Sequence, residues 1–375
     1  MMRHLLVLIL MAACNANAQF LVGNTTASFT DVTRSNRQIS CEIFYPASSS
    51  GPDAQISNGI FPYIVFGHGF VMNYTAYESL ANTLVSSGYV LIFVETEGGF
   101  APSHSAYGLD LAFVADHFFS DNSSMGAFFH NYLIDRCAIM GHSMGGGATW
   151  LASTTSVSVD CIAGLAPAET NPSAIAAATN ATVPAIVFSG SSDAVTAPAT
   201  NHIPIFEGTA SACRIFVNIL EGSHCGYADS GSLCDFGEFG FSGLSREEQQ
   251  AITHDLLIAY FDYHLKEMWS GNEVLQSYES QQTNAEIQIN CLVSVQEALA
   301  LNVAAFPNPC TDQLSIYADM NELAPYELID IAGRMVLRGQ LVFNNNRAEL
   351  ETHQMAPGIY TLRFSDKSII QFVKR

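Results

Sequence analysis

Short apolar runs alternate with longer and more polar segments along most of the chain. Strands are predicted at residues 28–33, 38–45, 62–66, 89–94, 138–140, 161–165, 185–188 and 214–220. Continuously apolar strands are typical of a parallel sheet that is covered on both faces. Helical segments, including residues 107–119 and 245–268, lie between or after the strands. The pattern predicts an α/β fold with a mostly parallel central sheet and helices on both faces.

Ser143 follows one of these strands in the sequence Gly-His-Ser-Met-Gly, residues 141–145, and two more glycines come next. This order is typical of a nucleophile elbow, in which a serine sits on a strained turn between a strand and a helix. Glycine neighbours let other backbone segments approach such a turn closely. A plain tight turn has the same short pattern, so the interpretation depends on a suitably placed acid and histidine.

Two later strands end in loops that supply these residues. Asp193 follows the strand at 185–188, and His224 follows the strand at 214–220. Ligands bind at the carboxyl ends of the strands in open α/β sheets. The chain order Ser143, Asp193, His224 is that of the α/β-hydrolase fold. We therefore predict a catalytic triad in which His224 takes the proton of Ser143 and Asp193 orients His224.

Each of these residues also has a plainer explanation. Asp193 fits an ordinary turn, and His224 fits a surface histidine. Asp229, Asp235 and Glu169 are rival acids. The occurrence of the serine, the acid and the histidine after successive strands favours the triad.

The loop after the strand at 62–66 supplies an oxyanion donor. It would place the backbone N–H of Phe70 opposite that of Met144, and two such donors stabilise the oxyanion of acyl transfer. Phe70, Met144, Phe100 and Tyr107 either line a shallow groove or pack in the core. The segment between the strands at 89–94 and 138–140 holds only one helix and two loops, so no lid domain is expected.

Composition and charge narrow the function further. The chain has 375 residues, of which 49% are hydrophobic and 13% are charged, so it can bury a large core. A net charge of −21 argues against nucleic acid and anionic membranes as partners. Neither Cys-x-x-Cys nor His-Glu-x-x-His spacing occurs, so we predict no metal and no cofactor. We expect a monomer.

The N-terminal residues resemble a targeting segment more than part of a fold. Arg3 and His4 precede an apolar run at residues 5–11, and Ala-Asn-Ala at 16–18 suits a signal peptidase. We predict a signal peptide over residues 1–18; a lipoprotein site at Cys14 is the alternative. No later apolar run is long enough to span a membrane.

Removal of Cys14 from the nine cysteines leaves an even number in an oxidising compartment, where disulfides form. Cys225 and Cys234 lie close in sequence, and we predict this pair first.

The last part of the chain differs from the catalytic domain predicted at residues 19–270. Residues 271–302 are rich in Ser, Gln and Asn, which predicts a linker. Short alternating strands between Pro, Asn and Gly then predict a small β-sandwich over residues 303–375.

Residues 28–268 resemble serine α/β-hydrolases of the dienelactone-hydrolase and cutinase-like type, including bacterial polyester hydrolases. The resemblance is carried by Gly-His-Gly-Phe at 67–70, Gly-His-Ser-Met-Gly-Gly-Gly at 141–147, Leu-Ala-Pro at 165–167, Ser-Asp-Ala-Val-Thr-Ala-Pro at 192–198 and Gly-Ser-His at 222–224. It implies an ester hydrolase that uses the predicted triad and oxyanion donors, with Phe70, His142 and Ala168 at the substrate. Dienelactone hydrolases differ in having a cysteine nucleophile. Polyester hydrolases differ in having an aromatic residue and a tryptophan at the positions of His142 and Ala168.

The C-terminal residues resemble the sorting domain of the bacterial type IX secretion route. The matching segments are Phe-Pro-Asn-Pro at 306–309, Ile-Asp-Ile-Ala-Gly-Arg at 329–334, Pro-Gly-Ile-Tyr at 357–360 and the basic end at 374–375. The resemblance implies export with the type IX machinery as a partner, followed by release or surface attachment. A carbohydrate-binding or protein-binding sandwich is the alternative.

These observations together predict a secreted serine carboxylic-ester hydrolase that acts through an acyl-enzyme. Cutin-like or synthetic polyesters and lipid esters are the candidate substrates. A serine peptidase or amidase would use the same residues, and a non-catalytic surface binding protein could share the scaffold. The natural substrate and the acyl preference stay open.

Overall fold

A computed structural model of the protein describes residues 20–120, 128–231, 233–238, 240–280, 284–291, 304–318, 323–331, 335–344, 346–364 and 368–375. The chain divides into two compact units, Met1–Cys291 and Leu292–Arg375. The predicted signal peptide, residues 1–18, lies outside the described residues.

The first unit alternates strands and helices. Its strands are β1 (Leu21–Asp31), β2 (Arg37–Ala47), β3 (Gly51–Pro52), β4 (Phe61–Gly67), β5 (Val90–Val94), β6 (Leu133–His142), β7 (Val159–Leu165), β8 (Ala185–Gly190), β9 (Cys213–Ile219) and β10 (Ala285–Cys291). Its helices are α1 (Glu78–Ser86), α2 (His104–His117), α3 (Met144–Ser153), α4 (Ala174–Ala178), α5 (His202–Gly208), α6 (Arg246–Leu265) and α7 (Trp269–Ser280). None of the helices in the described ranges has both the length and the apolar composition for a membrane span.

The strands of this unit form one sheet in the order β10-β9-β8-β7-β6-β4-β5-β2-β1-β3. Neighbouring strands from β5 across to β9 run parallel, whereas β1 and β2 at one side and β10 at the other pair antiparallel. The prediction of a mostly parallel α/β-hydrolase sheet is therefore confirmed. One end of the sheet is formed by the carboxyl ends of its parallel strands, including β4, β6, β7, β8 and β9. The candidate residues occur at this end.

Successive residues of the central strands enter two different cores. In β4, Tyr63 and Val65 pack on one face of the sheet, and Ile64 and Phe66 pack on the other. Residues of α2 and α3 cover the first face, and residues of α1 and α6 cover the second. Both faces are therefore buried, which explains why the predicted strands are apolar throughout.

The composition-based linker prediction for residues 271–302 is wrong in its first part. Helix α7 extends through residue 280, and β10 pairs with β9 from Ala285 to Cys291. In β10 the apolar residues Ile287 and Ile289 are half-buried, while Glu286 and Gln288, which alternate with them, are exposed. An edge strand needs only one apolar face, so its composition resembles that of a linker. Residues 292–303 lie outside the described residues.

The second unit contains two antiparallel sheets. One has the order β11-β12-β15, formed by β11 (Ala304–Phe306), β12 (Gln313–Tyr317) and β15 (Arg347–Glu351). The other has the order β14-β13-β16-β17, formed by β13 (Leu323–Asp330), β14 (Met335–Val342), β16 (Gly358–Phe364) and β17 (Ile369–Lys374). Leu314 and Ile316 of the first sheet share a buried core with Leu328, Leu362 and Phe372 of the second. This arrangement is the small β-sandwich predicted from the strand pattern.

Candidate active site

Ser143 occupies the sharp turn between β6 and α3. Its backbone has φ 55° and ψ −118°, a conformation that is costly for a residue with a Cβ atom. A Cβ atom on Gly145 would lie 2.1 Å from the carbonyl oxygen of Gly67, and one on Gly141 would lie 2.4 Å from the carbonyl carbon of Gly145. The glycines are therefore required because the start of α3 packs directly against the ends of β4 and β6.

Asp193 and His224 meet at the ends of the neighbouring strands β8 and β9. Nδ1 of His224 lies 2.8 Å from Oδ2 of Asp193, and both side chains are buried. The segment that carries Ser143 reaches the same place, because the backbone carbonyl of His224 accepts a hydrogen bond from Nε2 of the adjacent His142 at 3.1 Å. The structure thus brings the predicted acid and base together beside the elbow.

The environment of Asp193 favours its ionised form. Oδ1 accepts hydrogen bonds from the backbone amides of Val195 and Thr196, each at 2.8 Å. Burial alone would raise the pKa of Asp193, but the hydrogen bond from His224, the charge of His224 and the hydrogen bond from the Thr196 amide outweigh it and lower the pKa to about 2. A carboxylate at this position stabilises an imidazolium on His224.

The three rival acids are engaged elsewhere. Asp229 accepts hydrogen bonds from the backbone and hydroxyl of Ser79. Asp235 pairs with Arg246 at 2.6 Å, and Glu169 accepts from the backbone amide of Ile175 at 2.9 Å. Among the four acids considered, Asp193 is the one that contacts a His224 ring nitrogen.

Buried tyrosines hold the loop that carries Phe70. The His68 amide donates to the Tyr107 hydroxyl at 2.7 Å, and the Gly69 amide donates to the Tyr77 hydroxyl at 2.9 Å. The carbonyl of His68 accepts from the amide of Gly145 at 3.1 Å, which ties this loop to the start of α3. Within the described part of the chain, neither the Phe70 amide nor the Met144 amide has a hydrogen-bond acceptor. Both N–H groups can therefore serve a ligand.

The expectation that His142 contacts the substrate is wrong. Its side chain is fully buried, with the Tyr77 hydroxyl 2.9 Å from Nδ1 and the His224 carbonyl 3.1 Å from Nε2. Burial lowers the pKa of His142 well below its usual value, so the ring is neutral. Because Nε2 must donate to the carbonyl, Nδ1 accepts the tyrosine proton. The alternation of side chains along β6 could have shown this, since His142 falls on the same face as the buried Ala138 and Met140.

The four residues considered for the groove divide into two pairs. Tyr107 and Met144 are buried in the core, whereas Phe70 is 50% exposed and Phe100 is 84% exposed. The two exposed rings pack edge to face with their centroids 6.5 Å apart. Ala168 is half-buried, and its amide donates to the carbonyl of Ser143 at 2.9 Å. The exposed ring of Phe70, whose amide is free, thus packs against Phe100 of the loop between β5 and α2.

The segment after His224 is held by groups that the sequence analysis only partly anticipated. The predicted disulfide between Cys225 and Cys234 is confirmed. The carboxylate of Glu238 accepts hydrogen bonds from the amides of His224 at 2.5 Å and Cys225 at 2.9 Å. No sequence motif marks Glu238, because this contact depends on how the loop folds back.

The disulfide also packs against the imidazoles. The sulfur of Cys234 and nitrogens of His142 and His224 lie within 4.8 Å of one another, a grouping that metals can use. Here the sulfur is bonded to Cys225 and is not a thiolate, so the grouping lacks the charged ligand that would attract zinc.

Comparisons with known proteins cover both units. The profile of a family described as PET hydrolase-like matches residues 12–250. The profile of a secretion system C-terminal sorting domain matches residues 304–375. Over 209 residues the chain is 26% identical to the bis(hydroxyethyl) terephthalate hydrolase of Streptomyces coelicolor. The matched stretch covers 54% of this chain and 60% of that relative's length.

Proposed function

Because the chain belongs to the PET hydrolase-like family and carries a C-terminal type IX sorting domain, we propose that this secreted or cell-surface hydrolase is a serine carboxylic-ester hydrolase. Ser143 is the nucleophile, His224 is the general base and Asp193 is the acid of the triad. The observation that carries the proposal is the buried pair of His224 and Asp193, 2.8 Å apart, beside a serine held on a strained elbow. No metal or cofactor takes part in the proposed reaction.

The first half of the reaction forms an acyl-enzyme. Oγ of Ser143 attacks the ester carbonyl while Nε2 of His224 takes its proton, and the carboxylate of Asp193 stabilises the resulting imidazolium. The carbonyl oxygen of the ester becomes an oxyanion that accepts hydrogen bonds from the amides of Phe70 and Met144. Collapse of this intermediate breaks the ester C–O bond, and His224 returns the proton to the leaving alcohol.

The second half of the reaction releases the acid. A water molecule gives a proton to His224 and attacks the acyl carbon, and the same two amides stabilise the second oxyanion. Breakage of the bond to Ser143 returns the proton from His224 to the serine. The product is a carboxylic acid, and the enzyme is restored.

We propose esters of aromatic dicarboxylic acids as the substrates. The exposed rings of Phe70 and Phe100 offer an apolar surface next to the proposed oxyanion donor, where an aryl group can pack. The relative from Streptomyces coelicolor bears the name of a bis(hydroxyethyl) terephthalate hydrolase, which fits this class of substrate.

The test uses the purified chain with a series of p-nitrophenyl esters and with bis(2-hydroxyethyl) terephthalate, with product release followed by absorbance and chromatography. We expect hydrolysis of both, and a loss on the order of 10⁶ in kcat for Ser143→Ala with an unchanged fold by circular dichroism. Retention of activity within about tenfold by Ser143→Ala would overturn the assignment of the nucleophile.

The acid is tested in the same assay. Asp193→Asn should reduce kcat by about 10⁴, because an amide selects the wrong tautomer of His224. Asp229→Asn and Asp235→Asn serve as matched controls, since these acids bind Ser79 and Arg246 instead. If either control were as damaging as Asp193→Asn, the choice of acid would be wrong.

A further inference from the structure

A chain of buried polar side chains lies behind Asp193. It runs from Ser189 in β8 through His202 at the start of α5 to Thr196 in the loop after Asp193. Oγ of Ser189 lies 2.9 Å from Nδ1 of His202, and Nε2 of His202 lies 2.9 Å from Oγ1 of Thr196. Oγ1 of Thr196 lies 2.9 Å from Oδ2 of Asp193 and 2.8 Å from Nδ1 of His224. The side chains of Ser189 and His202 are fully buried.

The hydrogen positions in this chain follow from the charge of Asp193. Apart from the two imidazoles, the Thr196 hydroxyl has two possible acceptors, the Asp193 carboxylate at 2.9 Å and the Ala166 carbonyl at 3.3 Å, and the shorter contact to a charge is the stronger one. A threonine that donates to Asp193 can only accept from His202, so Nε2 of His202 carries the proton. Nδ1 of His202 then accepts from the hydroxyl of Ser189.

The opposite tautomer of His202 would be unfavourable. Its bare Nε2 would lie 3.5 Å from the same carboxylate oxygen of Asp193, and the two lone pairs would repel each other. The Thr196 hydroxyl would also have to turn from Asp193 toward His202. The observed distances therefore select one direction of donation, from Ser189 to His202, from His202 to Thr196 and from Thr196 to Asp193.

Three imidazoles lie close together here: those of His224 and His202 are 2.8 Å and 3.5 Å from Oδ2 of Asp193, and the His142 ring packs on the His224 ring. Those of His142 and His202 are buried, and burial lowers the pKa of His202 to about 4 and that of His142 well below its usual value. Both rings are therefore neutral near pH 7, and His224 is left as the ring that takes up the proton from Ser143. A second cation beside Asp193 would compete with the imidazolium of His224 for the same charge.

We propose that Thr196 and His202 are positioning residues of the hydrolytic reaction. His202 holds the Thr196 hydroxyl in the direction of Oδ2 of Asp193, and Thr196 fixes that oxygen against Nδ1 of His224. Neither residue touches the substrate. The inference rests on the proposed triad. It adds His202 as a second histidine that orients Asp193, acting through Thr196.

The test is Thr196→Val, which keeps the shape of the side chain and removes the hydroxyl. We expect kcat for a p-nitrophenyl ester to fall by about tenfold with KM unchanged, since a buried partner of Asp193 is lost and no substrate contact is. Thr196→Ser restores the hydroxyl and should recover most of the lost kcat. Thr200→Val is the matched control, because Thr200 lies in the same loop with an exposed side chain.

The pH profile separates positioning from simple packing. Without the Thr196 hydroxyl, Oδ2 of Asp193 accepts from His224 alone and holds its imidazolium more strongly. The acid limb of kcat/KM should therefore move to higher pH by about half a unit in Thr196→Val. The charged and titratable groups near His202 are Asp193, His224 and His142, and all three remain in this variant.

Ser189→Ala provides a second probe that removes a single oxygen at the far end of the chain. It should lower kcat by about threefold and move the acid limb in the same direction, even if Thr196→Val does not fold. Values of kcat within twofold of the unmodified protein and an unmoved acid limb in both variants would overturn the proposal. Ser143→Ala in the same assay distinguishes failure of the positioning role from failure of the proposed triad. If that variant keeps its activity, the proposed function itself has failed.

Discussion

Tyr77 and His142 join two parts of the candidate site that belong to different loops. The Tyr77 hydroxyl accepts from the Gly69 amide and donates to His142, whose Nε2 donates to the carbonyl of His224. The loop of the proposed oxyanion donor and the loop of the proposed base are thereby linked through two buried side chains. A hydroxyl on residue 77 is needed for both contacts.

Tyr77→Phe should weaken the site at both ends. The buried amide of Gly69 and Nδ1 of His142 would each lose a partner, which costs about 1–3 kcal/mol of the free energy of unfolding. We expect kcat/KM for a p-nitrophenyl ester to fall by about tenfold, measured beside urea unfolding. Tyr132→Phe is the control, because its hydroxyl has no partner among the described residues. Equal kcat/KM in the two variants would show that the link is dispensable.

Individual residues could be predicted where they follow a strand directly. Asp193 and His224 come just after β8 and β9, and the sheet order then brings them together. Thr196 and Glu238 could not be found in this way, since their contacts depend on loops that fold back on themselves. The role expected for His142 was wrong because the motif defines its position but not the face on which it lies.

At the scale of elements, the end of β4 and the start of α3 approach each other closely in the site. Gly67 and Gly145 meet there without side chains, and the His68 carbonyl caps the Gly145 amide. The distance between these two elements sets the position of Phe70 relative to Ser143. Any atom added at the contact must push β4 and α3 apart.

Gly145→Ala tests this contact. Its Cβ atom would lie 2.1 Å from the carbonyl oxygen of Gly67, so we expect about 3 kcal/mol less free energy of unfolding and at least a hundredfold loss in kcat/KM. Gly99→Ala is the matched control, since nothing lies within 4 Å of the added atom there. Urea unfolding and ester hydrolysis measure the two effects. A Gly145→Ala protein that matches the control would contradict the close packing.

Whole elements were predictable in proportion to how deeply they are buried. The strands β4, β5, β7 and β8 have most residues of both faces in the core, so their sequences are mainly apolar and their positions were predicted within one or two residues. The edge strand β10 and helix α7 were assigned to a linker. Their polar residues are numerous enough that the regular spacing of their few apolar residues is hard to recognise in the sequence.

At the scale of the whole molecule, several histidines are buried in neutral form. Burial lowers the pKa of His202, His254 and His264 to about 4 from 6.5. Between these two values the unfolded chain binds protons that the folded chain does not, so the stability gained above pH 6.5 is lost as the pH falls toward 4. Glu95 acts in the opposite direction, because burial raises its pKa to about 7.

The free energy of unfolding should therefore be lower at pH 5 than at pH 7, by on the order of 1 kcal/mol for each of the three histidines. Urea unfolding at a series of pH values measures the slope. His264→Phe should make this slope shallower, because it removes one of the three titratable rings. The variant also removes a buried Nε2 that has no hydrogen-bond partner within the described ranges. A pH slope in His264→Phe equal to that of the unmodified protein would contradict the neutral burial of this ring.

The disulfide between Cys213 and Cys291 joins the first residue of β9 to the last residue of β10. It lies at the boundary where the first compact unit ends and the unit with the sorting domain begins. β10 is an edge strand that pairs with β9 alone, and Cys291 lies opposite Cys213, so separation of the two strands from this end would begin at the residues that the disulfide joins. The disulfide prevents β10 from separating from β9 at that end. Proteolytic removal of the sorting domain, or force applied through it, therefore leaves β10 covalently attached to β9 in the first compact unit.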